Sequence, residues 1–298
     1  MVVHHRRERS TMVETVGVIG GSGLYEMPQL QDVRRVNVDT PFGAPSDALI
    51  VGTLHGVPMV FLPRHGVGHR HTPTEVPYLA NIWALKKMGV TRIISVSAVG
   101  SLREDVVPGH LLLADQFVDR TRSRRSTYFG GGIVGHVSFS DPVCPVWHGV
   151  AFQAATAAGA TVHPRGTYMC MEGPQFSTRA ESLLHRRDGA DVIGMTNMPE
   201  AKLAREAEIC YATLALATDY DCWHDGHDAV SVEGVVAVLK ANVAMAQQVI
   251  AQMVARVPSS RTCACESAAR YAIMTAPHAL PQARKDELQL FYGRYWNT

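Results

Sequence analysis

Eight short apolar, β-branched runs constrain what this 298-residue chain can fold into more than any other feature. They cover residues 16–19, 48–53, 57–62, 92–97, 111–117, 167–171, 192–195 and 213–218. Runs of this length, bounded by turn residues, read as buried strands. Helical patterns lie between several of them. Residues 76–88 form one. Residues 178–187 form another, opening on a capping box in which Thr178 is followed three residues later by Glu181. Residues 199–210 start with Pro199 at a plausible first helical position. The clearest helix spans 232–257, where Val232, Val235, Val236, Leu239, Val243, Ala246, Val249, Ile250 and Met253 recur at three-four spacing. Strands alternating with helices predict an α/β single domain with a mixed, largely buried central sheet flanked by helices.

The predicted domain runs over 16–257. Before it, residues 1–15 read as a disordered, basic head. After it, 258–298 read as a C-terminal extension packed on the domain and carrying a short helix. Residues 120–132 are polar and glycine-rich and read as an exposed loop. The net charge is +1, which disfavours a general nucleic-acid binder. The apolar runs fall far short of the roughly 20 residues that span a bilayer, and no apolar leader follows the N-terminal charges. A cytoplasmic protein with no nucleic-acid or membrane partner is expected. Six cysteines in so long a chain do not make a secreted disulfide scaffold. Cys144, Cys170, Cys210 and Cys222 each sit singly in apolar surroundings. Cys263 and Cys265 flank Ala264, either as two free thiols in an exposed loop or as a strained, easily reduced disulfide.

Polar or glycine-rich residues mark the ends of most of the predicted strands. Gly20-Gly21-Ser22-Gly23 follows the first strand and suits either a tight turn or a backbone anion cradle. It is neither a Walker loop nor a good dinucleotide fingerprint. Arg64 and His65 follow another strand, where a guanidinium fork suits phosphate. The nearby His69 and His71 leave a metal or a solvated basic loop as alternatives. Ser97 and Ala98 offer a hydroxyl and space for a ligand, or a small-residue packing site. Phe176 and Met195-Thr196 lie at two further strand ends. Asp219 and Asp221 end the last strand, either capping the next segment or doing chemistry. No nucleophilic Cys or Ser triad is visible. Open α/β sheets place ligands at the C-terminal ends of strands. The shared placement therefore describes a site for phosphate and a flat, nitrogen-rich ring.

From about Val16 to about Val257 the chain resembles the 5′-methylthioadenosine phosphorylases of the trimeric purine nucleoside phosphorylase superfamily. The resemblance rests on seven blocks in family order: Gly20-Gly21-Ser22-Gly23-Leu24, Asp39-Thr40-Pro41-Phe42-Gly43, Pro63-Arg64-His65-Gly66, Ala80-Asn81-Ile82-Trp83-Ala84-Leu85, Gly100-Ser101-Leu102-Arg103, Glu172-Gly173-Pro174-Gln175-Phe176-Ser177 and Ala217-Thr218-Asp219-Tyr220-Asp221-Cys222-Trp223. It implies phosphorolysis of 5′-methylthioadenosine to adenine and 5-methylthioribose 1-phosphate. Inorganic phosphate is then a co-substrate, and no metal or organic cofactor is needed.

By the same resemblance Ser22, Arg64, His65, Ser97, Ala98 and Thr196 bind phosphate. Ser22 stands where the family often has Thr. Met195 lines the ribose, Phe176 the base, and Asp219 and Asp221 face the purine N7 and N6 edge. His136, Val232 and Val236 border the 5′-methylthio pocket. In the family His136 reaches the site from a neighbouring subunit, which implies a homotrimer with shared active sites. Enzymes for 6-oxopurine nucleosides put Glu where Ser177 stands and Asn where Asp219 stands. A methylthioinosine phosphorylase is likewise disfavoured by Asp219, and a non-catalytic nucleoside sensor by the intact phosphate residues.

Overall fold

Branched apolar residues put the longest strand, Val90–Ser101, at the centre of one mixed sheet. The computed structural model describes residues 14–224 and 232–296, with side-chain surroundings left undescribed at 22, 232–237 and 239. Most of the basic head therefore lies outside the described residues. In chain order the strands are β1 (Thr15–Gly20), β2 (Gln31–Val36), β3 (Leu49–Leu54), β4 (Val57–Pro63), β5 (Val90–Ser101), β6 (Leu111–Ala114), β7 (Gln116–Asp119), β8 (Val162–His163), β9 (Thr167–Cys170), β10 (Val192–Gly194) and β11 (Cys210–Asp219). The helices are α1 (Tyr78–Lys87), α2 (Pro145–Ala157), α3 (Arg179–Arg187), α4 (Asn197–Glu206), α5 (Val232–Val254) and α6 (Gln282–Tyr292).

The sheet runs β2-β3-β4-β1-β5-β10-β9-β7, while β11 pairs with β5 and β6, and β8 pairs with β6. β4, β1, β5 and β11 are mutually parallel, so their C-terminal ends open on one side. β10 meets the last residues of β5 antiparallel, Ile193 opposite Gly100 and Val192 opposite Ser101. Successive strand residues point to opposite faces, and both faces are buried. Ile19, Leu62, Ile93 and Tyr211 join one core with residues of α1, α4 and α6. Val18, Phe61, Ile94 and Ala212 join a second core with α2 and α5. Among the described residues no helix is long and apolar enough to cross a membrane.

Several boundaries differ from the sequence reading. Residues 111–117 are two strands, β6 and β7, at different places in the sheet. The chain breaks at Asp115, whose carboxylate accepts from the Gly166 amide at 3.1 Å. The helix expected at 199–210 ends at Glu206, and Cys210 already belongs to β11. The loop at 120–132 is not uniformly exposed: Tyr128 and Phe129 are buried, and the Arg124 side chain is 1% exposed. The capping box of α3 is present, Thr178 Oγ1 accepting from the Glu181 amide and Glu181 Oε2 accepting from the Thr178 amide. After α5 the chain returns to the body, and Leu288, Phe291, Tyr292 and Trp296 enter the first core.

Candidate active site

Because the parallel strands finish on one side, their terminal residues meet there. β1 ends at Gly20, whose carbonyl accepts from the Arg64 amide at 2.9 Å, so the end of β4 is tied to the end of β1. A Cβ on Gly20 would stand 2.4 Å from a Leu24 methyl and 3.3 Å from the Val96 carbonyl, so a side chain there would displace Leu24. Ser22 begins that 3-10 turn; its side chain lies outside the described residues. Ser97 on β5 and Thr196 after β10 are both buried, and their hydroxyls lie 3.3 Å apart. The Tyr168 hydroxyl lies 3.0 Å from Ser97 Oγ. Ala98 follows on β5, half-buried.

Arg64 sits deeper than its sequence position implies. The residue is 3% exposed. Its Nε and Nη2 donate to Glu200 at 2.8 and 3.0 Å, its Nη1 to the Val96 carbonyl at 2.9 Å, and its Nη2 to Ser95 Oγ at 2.7 Å. The fork assigned to phosphate from sequence is thus turned onto a carboxylate in this structure. Glu200 also accepts from Ser95 and Tyr211 hydroxyls at 2.6 and 2.8 Å. A buried carboxylate this well bonded holds the guanidinium in its charged form despite burial. His65, next in the chain, is half-buried. Burial and the Arg64 charge push its imidazole down to about 4, so it is neutral at pH 7. Its Nδ1 lies 2.8 Å from the His71 carbonyl, which requires Nδ1 to carry the proton and leaves Nε2 as an acceptor. His69 stacks on it with centroids 4.3 Å apart.

The purine side of the site is built by the end of β11. Asp219 pairs in register with Gly100 of β5. A Cβ at Gly100 would lie 3.0 Å from Asp219 Oδ1 and 3.2 Å from Asp221 Cβ, so the glycine makes room for both carboxylates. Asp219 Oδ2 accepts from the Thr218 hydroxyl at 2.7 Å and Oδ1 from the Asp221 amide at 2.8 Å. Burial raises its pKa against those two bonds. Burial raises that of Asp221 as well, and Asp221 Oδ2 is buried without a hydrogen-bond partner. Gly100 lies three residue steps beyond Ser97, about 10 Å along a strand. That is room for an anion and a nucleoside side by side.

Met195 is half-buried on Gly173, where a Cβ would come within 2.5 Å of its sulfur. Phe176 is 46% exposed. Val232 and Val236 open α5, and their side chains lie outside the described residues. His136 is exposed, on a segment bonded to the C-terminal extension: its amide donates to the Ala272 carbonyl at 2.9 Å. That bond ties it to the extension rather than to the strand ends.

A clamp that sequence reasoning missed holds the Met195 segment. Arg124 donates from Nη1 to the Met195 and Met198 carbonyls at 2.6 and 2.7 Å, from Nη2 to the Glu172 carbonyl at 2.6 Å, and from Nε to Glu172 Oε1 at 3.1 Å. Burial opposes the Glu172 charge, but bonds from the Thr74 hydroxyl and the Arg122 and Ser123 amides outweigh it and hold the carboxyl down to about 2. Glu172 belongs to a motif legible in the sequence; Arg124 lies in a loop whose polarity hides its burial.

Residues 15–255 match the model of the phosphorylase superfamily. The chain is 61% identical over 285 residues to the S-methyl-5′-thioadenosine phosphorylase of Geobacter sulfurreducens, covering 95% of this chain and 100% of that protein. It is 56% identical to the enzyme of the same name from Chloroflexus aurantiacus, covering 95% and 99%. Among solved structures, a methylthioadenosine phosphorylase from an antarctic soil metagenomic library superposes with a TM-score of 0.89 at 49% identity, covering 94% of this chain and 99% of that one. Methylthioadenosine phosphorylase from Schistosoma mansoni in complex with adenine gives a TM-score of 0.80 at 37% identity, covering 83% and 93%.

Proposed function

The chain belongs to the phosphorylase superfamily and, within it, to the 5′-methylthioadenosine phosphorylases, and from that premise we propose how its residues divide the reaction. It is a pentosyltransferase: 5′-methylthioadenosine and phosphate give adenine and 5-methylthioribose 1-phosphate. Breaking the glycosidic bond builds positive charge on the sugar and negative charge on the leaving purine. Phosphate attacks C1′ from one side while the purine accepts a proton on the other. Ser22, Ser97, the Ala98 backbone and Thr196 orient phosphate. Neutral His65 accepts from its P–OH through Nε2. Arg64, paired with Glu200 beneath them, fixes the strand ends. Fixed donors of this kind work by orientation and electrostatic stabilisation. Met195 packs along the ribose and Phe176 along the base. No metal or organic cofactor takes part in the chemistry, and the cytoplasm is the setting, six cysteines in so long a chain being too sparse for a secreted disulfide scaffold.

One observation carries the reading: the carboxylate pair at the end of β11. Asp219, whose carboxyl burial favours in the acid form, is the group that gives a proton to N7. The anion left behind is met by the Thr218 hydroxyl and the Asp221 amide. Asp221 Oδ2 has no well-aligned hydrogen-bond partner, with the Ser182 and Ser177 hydroxyls close to the carboxylate, and the 6-amino group of adenine donates to it. The 5′ end is bordered by His136, Val232 and Val236. An apolar wall penalises the 5′-hydroxyl of adenosine only modestly, about 1–3 kcal/mol, so adenosine is expected to be a poor substrate rather than none. His136 comes from a neighbouring subunit of a homotrimer. The exposed Val134, Tyr271 and Met274 beside it support this, because they form an apolar surface suited to burial against another copy.

The test is direct. With methylthioadenosine and phosphate, free adenine and the sugar phosphate should appear in equal amounts; without phosphate, neither should. Adenine release independent of phosphate would make the protein a hydrolase instead, and inosine turned over faster than methylthioadenosine would overturn the assignment of the carboxylates.

A further inference from the structure

Away from the strand ends, four cysteines meet. Cys144 caps α2, Cys210 opens β11, and Cys263 and Cys265 belong to the turn after α5. Their four Sγ atoms lie within 4.8 Å of one another, and Cys210 and Cys263 are 3.4 Å apart. The loop reading of Cys263 and Cys265 is thereby corrected: Cys265 is buried, Cys263 half-buried, and both face Cys144 and Cys210, which from sequence sat alone. All six cysteines of the chain are free thiols in this structure.

We propose that these four cysteines form a structural zinc site. Four thiolates about 2.3 Å from a tetrahedral Zn²⁺ stand about 3.8 Å from one another, so the observed cluster needs only small closing movements. Thiolate ligands select soft or borderline ions, and a four-sulfur tetrahedron is the geometry of a closed zinc site. With all four positions filled by protein, no place remains for water or substrate, so the ion holds structure and does no chemistry. Binding is redox-neutral: one Zn²⁺ displaces four thiol protons, leaving a centre of net charge −2.

The surroundings suit that charge. The backbone amide of Trp147 donates to Cys144 Sγ at 3.4 Å, at the N-terminus of the thirteen-residue helix α2, where a negative charge is favoured. The wholly buried guanidinium of Arg92 lies 3.9 Å from Cys210 Sγ. Its Nη2 meets Glu14 at 3.5 Å and donates to the Pro258 and Ser260 carbonyls at 3.2 and 3.3 Å, which leaves Nη1 toward the sulfurs. Ligand spacing in sequence is no guide here, because three separate segments supply the sulfurs.

The site would fasten the chain just before the segment that carries the C-terminal extension back to the body. Ala269 donates to Glu208 at 3.0 Å, and the Met274 amide to the Val134 carbonyl at 2.9 Å, next to His136. Removing the ion should free this extension while leaving the strand ends in place.

The full chain, purified under reducing, chelator-free conditions, should carry about one zinc per subunit by elemental analysis. The metal-stripped protein, reconstituted anaerobically with Co²⁺, should show a thiolate-to-cobalt charge-transfer band and the strong visible bands of a tetrahedral ion. Cys263→Ser with Cys265→Ser should lose the zinc, lower Tm and speed proteolysis after residue 257, whereas Cys222→Ser should keep full zinc content. Because elemental analysis and the cobalt spectrum use the unaltered chain, a variant that fails to fold does not protect the proposal. Reduced protein that neither retains zinc nor yields the cobalt spectrum overturns it. So does a metal-free native protein whose mass has dropped by the hydrogens of a disulfide among these four cysteines.

Discussion

Asp219 and Asp221 are two residues apart, yet their surroundings assign them different work. Asp219 is bonded at both oxygens to donors that favour its anion, while burial favours its acid form. A group balanced this way gives up a proton and then tolerates the charge. Asp221 has a buried oxygen without a well-aligned partner, which suits the acceptor role proposed for it. Asp219→Asn keeps the size but offers no carboxylic proton. Its kcat/KM for methylthioadenosine should fall roughly 10²–10⁴-fold, the loss typical of a general acid. On methylthioinosine the loss should be smaller, because the amide can donate to the 6-oxo edge. Asp221→Asn should be milder, since an amide oxygen still accepts. A raised carboxyl pKa also sets the sign of the pH profile: the active, protonated form is present below that pKa and is lost as pH rises through it. Native kcat/KM should therefore carry an alkaline limb that Asp219→Asn lacks. Near-native activity in that variant would reduce Asp219 to a cap for the next turn.

At the scale of elements, two buried carboxylates on α4 govern how the site is held. Glu200 of α4 meets Arg64 after β4, 136 residues away in sequence, in a pair that excludes water. Removing one partner of such a pair leaves a buried charge without compensation, about 3–5 kcal/mol. Glu200→Gln should lower Tm sharply, and Glu200→Gln with Arg64→Met should recover part of that loss; equal Tm in single variant and native protein would show that the pair is not stabilising. Glu206, at the end of α4, accepts from the Thr127 hydroxyl and Tyr128 amide, both at 2.7 Å. Burial lifts its carboxyl to about 7. The folded state thus binds this proton more tightly than the unfolded chain. Its contribution to stability is full below the unfolded value near 4.5 and is lost as pH rises through about 7. Denaturation from pH 5 to 8 should show that decline, and Glu206→Gln, neutral throughout, should flatten it. Strand ends were legible in the sequence because apolar runs stop abruptly at Gly20, Arg64, Thr196 and Asp219. α2 was not, because Trp147, Val150, Ala151, Phe152, Ala154 and Ala155 leave no clean polar stripe and Gly149 interrupts it. β2 was not, because its residues are largely exposed and its extended form comes from pairing with β3. The inward turn of Arg64 and the Arg124 clamp were invisible for a simpler reason: each joins segments remote in sequence, and only packing brings them together.

For the whole molecule, the question is whether one chain can complete a site. The strand ends gather the residues proposed for phosphate and purine, but His136 lies on an exposed segment tied to the C-terminal extension. Beside it, Met274 is 67% exposed and Val134 51%, a cost in water unless another copy covers them. In a closed ring each subunit lends His136 to the next and receives one in return. Two inactive chains can then rescue each other. Asp219→Asn spoils the site of its own subunit, and His136→Glu, a charge beside the apolar 5′ pocket, spoils the neighbour's. Co-expressed in equal amounts with different tags, the two chains should assemble at random. A site is intact when its own subunit carries native Asp219 and the donor subunit carries native His136, which describes about a quarter of sites. Double-tag purification selects mixed trimers, each with one intact site in three, so these should regain about a third of native activity, and Met274→Arg introduced into both chains should abolish the rescue by separating the subunits. If sites are instead completed within one chain, every mixed complex contains only damaged sites, and activity stays at the residual level of the parent variants whatever the mixture.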